Sequence, residues 1–220
     1  MATSPSILFD EVCARLPLFE DLPRDAPQRL AAAGFGRGLL TGAVRSRLRK
    51  AGFADMGMLA LATPAELTSV RKIGPVRLQA IRAHVLDELA RTYPDARVFH
   101  GTDATATRRM DRLRSMPANR LPLGETLLGA LGCIGETCAA LATRGRSECL
   151  RTGAVAATDL DGVVTALVDG LLQDCPRAAP PIGHDPAVDD VGERERRDET
   201  MRERDREWEE AAPRVRYRGS

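Results

Sequence analysis

The sequence predicts an all-α protein with tandem small helical units and a charged C-terminal tail, and three observations favour this. Only 4% of the 220 residues are aromatic, and the apolar residues are mostly Ala, Leu and Val; Ala and Leu are strong helix formers. Apolar residues recur at helical spacing between capping residues and glycines. Beyond residue 174 the composition changes, first to proline and then to arginine and glutamate.

Two short helices are expected at the start of the chain. A Ser-Pro pair gives the first helix a cap and a first helical residue, and an apolar stripe follows at Leu8, Val12 and Leu16. A second helix is expected over about residues 27–33, where a glycine follows it. We expect residues 1–38 to pack on the unit that follows.

Residues 39–92 carry the clearest helical signals. Thr41 and Asp55 can each cap a helix, and Thr63-Pro64-Ala65-Glu66 is a capping box with proline at the first helical position. A long helix is expected after Gly74. Its apolar stripe consists of Leu78, Ile81, Val85 and Leu89.

A second, weaker version of this pattern is expected at residues 121–174, after a basic linker over residues 93–120 with a helix at about 104–115. Leu48, Gly52 and Leu61-Ala62-Thr63 recur 80 positions later, and two more residues are inserted further on. Short and long helices in an Ala/Leu-rich chain can also align this well by coincidence. Both interpretations stay open at this point.

The tail, residues 175–220, has no pattern that could bury an apolar face. Prolines exclude regular structure in its first part, and the stretch from Glu193 to Glu210 is mostly arginine and glutamate. The tail is therefore expected to be either disordered or a single solvated helix held by ion pairs.

The charge is divided unequally along the chain. From Arg37 to Arg91 there are ten basic and four acidic residues, a net charge of +6. Residues 121–174 contain three basic and seven acidic residues, a net charge of −4. This division suggests that the two halves bind different partners.

Neither catalysis nor a metal site is expected. The five cysteines include no CxxC pair, and their odd number argues against a full disulfide framework. The three histidines have no partner at nucleophile spacing, and there is no phosphate loop or HExxH sequence. No leader peptide and no run of about 18 apolar residues is apparent. We expect a non-enzymatic protein without a cofactor or a membrane span.

The segment around Gly74 has the helix-hairpin-helix pattern. In this pattern a short turn, which contains an apolar residue followed by a glycine, joins two helices. Glycine lets the backbone turn tightly and approach a ligand. The amides at the start of the next helix can donate to a phosphate oxygen, and Arg71, Lys72 and Arg77 add positive charge. The same segment could also be a plain interhelical turn with a solvated basic face.

A wider set of residues carries a family resemblance: Leu39-Leu40-Thr41, Leu48-Arg49-Lys50-Ala51-Gly52-Phe53, Thr63-Pro64-Ala65-Glu66-Leu67 and Val70-Arg71-Lys72-Ile73-Gly74. Residues 39–89 thereby resemble the C-terminal domain of the bacterial RNA polymerase alpha subunit. The resemblance implies a compact bundle of short helices that binds the DNA minor groove and neighbouring phosphates and contacts transcription activators.

The matching positions imply phosphate contact rather than promoter-type groove reading. Gly74 matches the hairpin glycine, and Val76 and Arg77 fall where the family has a lysine and a serine near the DNA backbone. The minor-groove arginine falls on Ala43, and Arg45 lies roughly 200° away around a helix. The candidate DNA-binding residues are Arg45, Arg47, Arg49, Arg71, Lys72, Gly74, Val76 and Arg77.

The second unit differs at the equivalent positions. Ala156 replaces the hairpin glycine, and Asp159 and Asp161 follow at the helix start. Carboxylates there stabilise a helix but repel phosphate. We expect residues 121–174 to pack, dimerise or bind a protein, with RNA polymerase as one candidate partner.

These patterns together predict a non-catalytic protein that binds the phosphates of duplex DNA, in a regulatory or architectural role, in the cytoplasm and associated with the nucleoid. The alternative is a protein-interaction adaptor of the transcription machinery that uses the same fold. A part of a repair nuclease is a third hypothesis, but it needs an acidic metal site that the sequence does not reveal.

Overall fold

The computed structural model describes residues 7–36, 40–151 and 153–173. These residues form twelve α-helices, one 3-10 turn and no strand, which confirms the all-α prediction. None of the described helices combines the length and the apolar composition needed to cross a membrane. The predicted tail, residues 175–220, lies outside the described residues. The helices are α1 (Leu8–Arg15), α2 (Ala26–Ala32), α3 (Gly42–Lys50), α4 (Met56–Leu61), α5 (Pro64–Ser69), α6 (Pro75–Thr92), α7 (Ala96–His100), α8 (Thr102–Ser115), α9 (Glu125–Ala130), α10 (Cys138–Ala142), α11 (Arg146–Arg151) and α12 (Ala157–Gln173), with the 3-10 turn at Ala118–Arg120.

Three helices of the first half begin at the capping residues that the sequence indicates. The Thr41 side chain caps α3, and Asp55 Oδ1 accepts a hydrogen bond from the Met58 amide at 2.9 Å. At α5, the Glu66 amide donates to Thr63 Oγ1 at 3.1 Å and the Thr63 amide donates to Glu66 Oε2 at 2.8 Å. This capping box fixes the start of the helix that leads to Gly74.

The first hydrophobic core lies among α2 to α6. Its fully buried members include Leu48, Met56, Leu59, Leu67, Ile81 and Val85. Three of the four residues predicted for the α6 stripe, Ile81, Val85 and Leu89, are buried, and Leu78 is half-buried. Because this stripe faces the core, the opposite side of α6 and its first turn face solvent.

The second core lies among α1 and α8 to α12, and α1 contacts both this core and α5 of the first unit. We predicted that residues 1–38 pack on the first unit, and α2 does contribute to the first core, but Leu8, Val12 and Leu16 are buried in the second. The reason is the breadth of the apolar surface on α12, whose buried residues are Leu160, Val163, Val164, Ala166, Leu167, Val168 and Leu171. A stripe this wide needs a further helix to cover it, and α1 does so.

The predicted basic linker, residues 93–120, is mostly helical. Arg109 of α8 points inward, where its Nε and Nη2 donate to Glu20 Oε1 at 2.8 and 2.7 Å. Its Nη2 also donates to the Pro17 carbonyl at 2.7 Å. The side chains of Arg109 and Glu20 are only 5% and 4% exposed, and Arg112 donates to the other carboxylate oxygen.

These contacts change the interpretation of the linker arginines. A buried carboxylate requires cations and hydrogen bonds to compensate for lost water, and Arg109 and Arg112 provide them for Glu20. They hold the segment between α1 and α2 against α8, so these two arginines of the basic linker serve the fold and are not free to contact DNA.

Glu20→Gln is expected to lower the free energy of unfolding by about 3–5 kcal/mol, because the Arg109 guanidinium is then buried without an opposite charge. Asp111→Asn breaks the exposed pair with Arg114 on α8 and should lower it by less than about 1 kcal/mol. Urea unfolding of both variants measures the difference. Equal, small losses would show that the buried pair does not hold this segment.

His100, at the end of α7, is buried between two phenyl rings. It makes edge-to-face contacts with Phe19 and Phe99, at centroid distances of 5.9 and 4.9 Å. Desolvation lowers its pKa from 6.5 to about 4, and the neighbouring Arg108 and Arg82 act in the same direction. The imidazole is therefore neutral in the folded protein at pH 7.

The pKa of His100 predicts a loss of stability in mild acid. The unfolded chain binds a proton near pH 6.5, whereas the folded protein resists it until about pH 4. The free energy of unfolding should therefore fall over this interval by up to about 1.4 kcal/mol per pH unit. His100→Phe keeps a ring between the phenyl groups and should remove this component. Identical pH profiles for both proteins would contradict the assignment.

Candidate nucleic-acid interface

A tight backbone turn joins α5 to α6. The Ile73 amide donates to the Val70 carbonyl at 2.9 Å, and the Ile73 side chain is anchored in the first core with 3% exposure. Between them, Lys72 has a φ of +68°, in the left-handed region. Only glycine, and less often asparagine or aspartate, adopts this conformation readily.

Gly74 has a different role from the one that the sequence suggested. We expected this glycine to make the tight turn, but its φ of −98° and ψ of −177° are extended backbone that any residue adopts. A Cβ placed on Gly74 would meet no atom within 4 Å. The left-handed residue of the turn is Lys72, so neither backbone conformation nor internal packing requires a glycine at position 74.

The start of α6 is open. Gly74 is the N-cap residue and makes no side-chain capping bond, and Pro75 occupies the first helical position. The first hydrogen bond of the helix runs from the Leu78 amide to the Gly74 carbonyl, at 2.9 Å. The amides of Val76 and Arg77 precede it, so they have no partner within the helix. These donors lie at the positive end of an 18-residue helix.

Exposed cations surround this helix start. Arg71, Lys72 and Arg77 are all exposed, and the ion pairs found among the described residues involve other side chains. One nitrogen of Arg77, Nη1, donates to the Lys72 carbonyl. Val76 is 84% exposed beside them. The structure thus brings five of the eight candidate residues, numbers 71, 72, 74, 76 and 77, to one place.

The other three candidates, Arg45, Arg47 and Arg49, lie on α3 and do not share one face. Arg45 and Arg47 are half-buried and lie on opposite sides of the buried stripe of α3, about 200° apart. The Arg49 guanidinium lies over the Phe35 ring at 5.2 Å. These side chains cannot all contact one ligand, so we place them outside the centre of the site.

The second half of the chain repeats the order of helices in the first. Helices α9 to α12 follow one another as α3 to α6 do, with short helices before one long helix. Leu48 and Leu128 each accept a hydrogen bond from the amide five residues later, at 3.0 and 2.9 Å. Gly52 and Gly132, which lie in these bends, both have positive φ, +93° and +63°.

The register in which these two sets of helices align differs from the predicted one. We aligned Leu61-Ala62-Thr63 with Leu141-Ala142-Thr143, 80 positions later. In the structure the two extra residues come earlier, before α10, so α4 and α10 correspond at a spacing of 82. Burial supports this register, since the fully buried residues are Met56, Leu59 and Ala60 in α4 and Cys138, Leu141 and Ala142 in α10.

At the same spacing, Ala156 corresponds to Gly74 and Asp159 to Arg77. Arg77 and Asp159 are each the third residue of their helix. In the second half the Ala156 amide donates to Asp159 Oδ2 at 3.0 Å, so a carboxylate of the chain itself closes this helix start. Asp161 is paired with Arg146 at 2.7 Å. Arg146 also donates to the Ala157 carbonyl at 3.4 Å. The two long helices therefore differ in the third residue, which is a hydrogen-bonded carboxylate in α12 and an exposed arginine in α6.

The described thiols and His84 lie in structural rather than reactive surroundings. Burial raises the pKa of Cys138 to about 11, which keeps it as the unreactive thiol at neutral pH. Burial is also the main cause that raises the pKa values of Cys13 and Cys149. A ring nitrogen of His84 lies 2.8 Å from the Phe35 carbonyl. Within residues 7–36, 40–151 and 153–173, no group of three or more His, Cys, Asp or Glu is placed to hold a metal ion.

The chain was compared with models of known protein families, with curated proteins and with solved structures, and none of them matches it.

Lys72→Gly is expected to raise the free energy of unfolding by about 0.5–1 kcal/mol, because glycine removes the cost of the left-handed backbone and loses only part of this gain to greater freedom in the unfolded chain. Lys50→Gly, at the exposed end of α3, should have the opposite sign. Thermal or urea unfolding of the two variants measures both effects. A destabilised Lys72→Gly would contradict the backbone conformation of the turn.

Proposed function

We propose that this chain is a non-catalytic DNA-binding protein that holds the phosphates of duplex DNA at the start of α6. The observation that carries the proposal is the open helix start at Gly74, ringed by exposed cations, in a chain whose equivalent helix start at Ala156 is closed by its own carboxylate.

The second helix start supports the choice of an anionic ligand. There, an anionic oxygen of Asp159 lies 3.0 Å from the amide that corresponds to the Gly74 amide. A phosphate oxygen has the same charge and accepts hydrogen bonds in the same way. At Gly74 no side-chain oxygen of the described residues plays this part, and a cation, Arg77, takes the position of the carboxylate.

The lack of a side chain at position 74 favours a ligand as large as a nucleic-acid backbone. Neither the conformation of Gly74 nor its packing explains the missing side chain. A Cβ on Gly74 would occupy open space at the start of α6, next in sequence to the amides of Val76 and Arg77. The absence of a side chain is therefore of use to a partner that approaches from outside.

The magnitude of the interaction follows from the number of cations. Arg71, Lys72 and Arg77 can neutralise about three phosphates, so the affinity should fall about 40-fold between 50 and 200 mM salt. Contacts of this kind position a duplex without reading its sequence. A regulatory or architectural role in the cytoplasm, associated with the nucleoid, suits such a protein.

The fold supports the same proposal. We infer that α5, the turn and α6 form a helix-hairpin-helix unit of the kind found in the C-terminal domain of the RNA polymerase alpha subunit. We further infer that α9 to α12 are a second copy, in which the Asp159 carboxylate takes the place of a bound phosphate.

A protein partner for residues 121–174 is the second candidate function. This segment has a net charge of −4, its helix start is closed by Asp159, and Ile134 is 70% exposed beside Glu136. An acidic surface with an apolar side chain suits a basic protein better than DNA. RNA polymerase or another component of the transcription machinery is a candidate, which would make the chain an adaptor.

The DNA-binding proposal predicts that Gly74→Asp and Arg77→Glu each weaken binding to a labelled duplex by at least about tenfold. Each variant places a carboxylate at the helix start, where it occupies or repels the phosphate. Aspartate is a preferred N-cap residue, so unfolding would not explain a loss of binding in Gly74→Asp. A thermal melt of Arg77→Glu shows that this variant is folded at the temperature of the binding measurement. Fluorescence anisotropy at 50–200 mM salt measures affinity and salt dependence together.

Arg120→Glu is the matched control, since it makes the same charge change as Arg77→Glu at an exposed arginine of the linker, outside the candidate site. It should alter the affinity by less than about threefold. The proposal fails if wild type does not bind the duplex, or if Gly74→Asp and Arg77→Glu bind as well as wild type does.

A further inference from the structure

The turn before α6 contains a residue that is poorly suited to its own backbone. Lys72, with its φ of +68°, bears a cost of roughly 1–2 kcal/mol that glycine would not. It stands at the third position of the turn closed by Ile73 and Val70, where glycine or asparagine is preferred when φ is positive. Something else in the structure must hold this conformation in place.

Arg77 makes the contact that can do so. Its Nη1 donates to the carbonyl of Lys72 from one turn into α6. Ile73 is held in the core on the other side of that carbonyl, so the peptide unit after Lys72 is fixed at both ends. The guanidinium has five N–H groups, and one bond to the carbonyl leaves others for a phosphate.

We propose that Arg77 is a positioning residue, which holds Lys72 in its left-handed conformation and thereby aims the Lys72 side chain and the open amides at the same phosphate group. This inference rests on the proposed function, because it concerns how the DNA site is shaped. The positive charge of Arg77 is then only part of what this residue contributes to DNA binding.

A double-mutant cycle separates positioning from charge. Glycine adopts the left-handed conformation without help, so Lys72→Gly removes the need for a residue that holds the turn. If Arg77 acts through the turn, Arg77→Gln should weaken duplex binding at least about threefold more in the Lys72 protein than in the Lys72→Gly protein. If Arg77 supplies charge alone, the two losses should be equal.

Arg71→Gln provides the matched control. Arg71 is the same residue type, is exposed and adjoins Lys72, but its side chain makes no bond to the Lys72 carbonyl among the hydrogen bonds of the described residues. Its loss should weaken binding by the same factor in both backgrounds. The thermal midpoint should show the same pattern, with Arg77→Gln lowering it by about 2–4 °C beside Lys72 and by less than about 1 °C beside glycine.

The possible outcomes distinguish the positioning role of Arg77 from the DNA site itself. Coupled losses in both affinity and thermal midpoint support the positioning role. Wild-type binding with additive losses of affinity overturns that role and leaves the DNA site standing. If wild type does not bind duplex DNA, the proposed function fails, and the positioning role fails with it.

Discussion

The first turn of any helix leaves amides without partners in the helix, and the two long helices of this chain meet that constraint in opposite ways. At α12, the Asp159 carboxylate supplies an acceptor for the Ala156 amide. At α6, the N-cap is a glycine, the first residue is a proline and the third is an arginine, and no side chain among the described residues caps this helix start. An acceptor from outside is therefore favoured at α6 and disfavoured at α12, and the proposed function depends on this difference.

Positive charge alone would not have located the site. Arginines occur throughout the chain, but Arg109 and Arg112 are committed to the buried carboxylate of Glu20, and Arg49 lies over an aromatic ring. The arginines and the lysine at the α6 turn differ because they are exposed beside amides that have no partner within the helix. Burial and local hydrogen bonding therefore decide which cations can meet a polyanion.

Much of the fold could be predicted from the sequence, because its signals are local. The Thr63–Glu66 capping box and the apolar stripe of α6 each depend on residues within a few positions of one another. The position of α1 and the Glu20–Arg109 pair depend on contacts between residues far apart in the chain, which local patterns do not encode. The left-handed backbone of Lys72 could not be predicted either, since lysine gives no signal of positive φ.

The most direct test is a titration of the ¹⁵N-labelled chain with a short DNA duplex, followed by the amide resonances in NMR spectra. The account predicts that the largest shifts occur at Gly74, Val76 and Arg77, with little change at Ala156 and Asp159. Shifts confined to α12, or no shift at the start of α6 while DNA is bound, would contradict it.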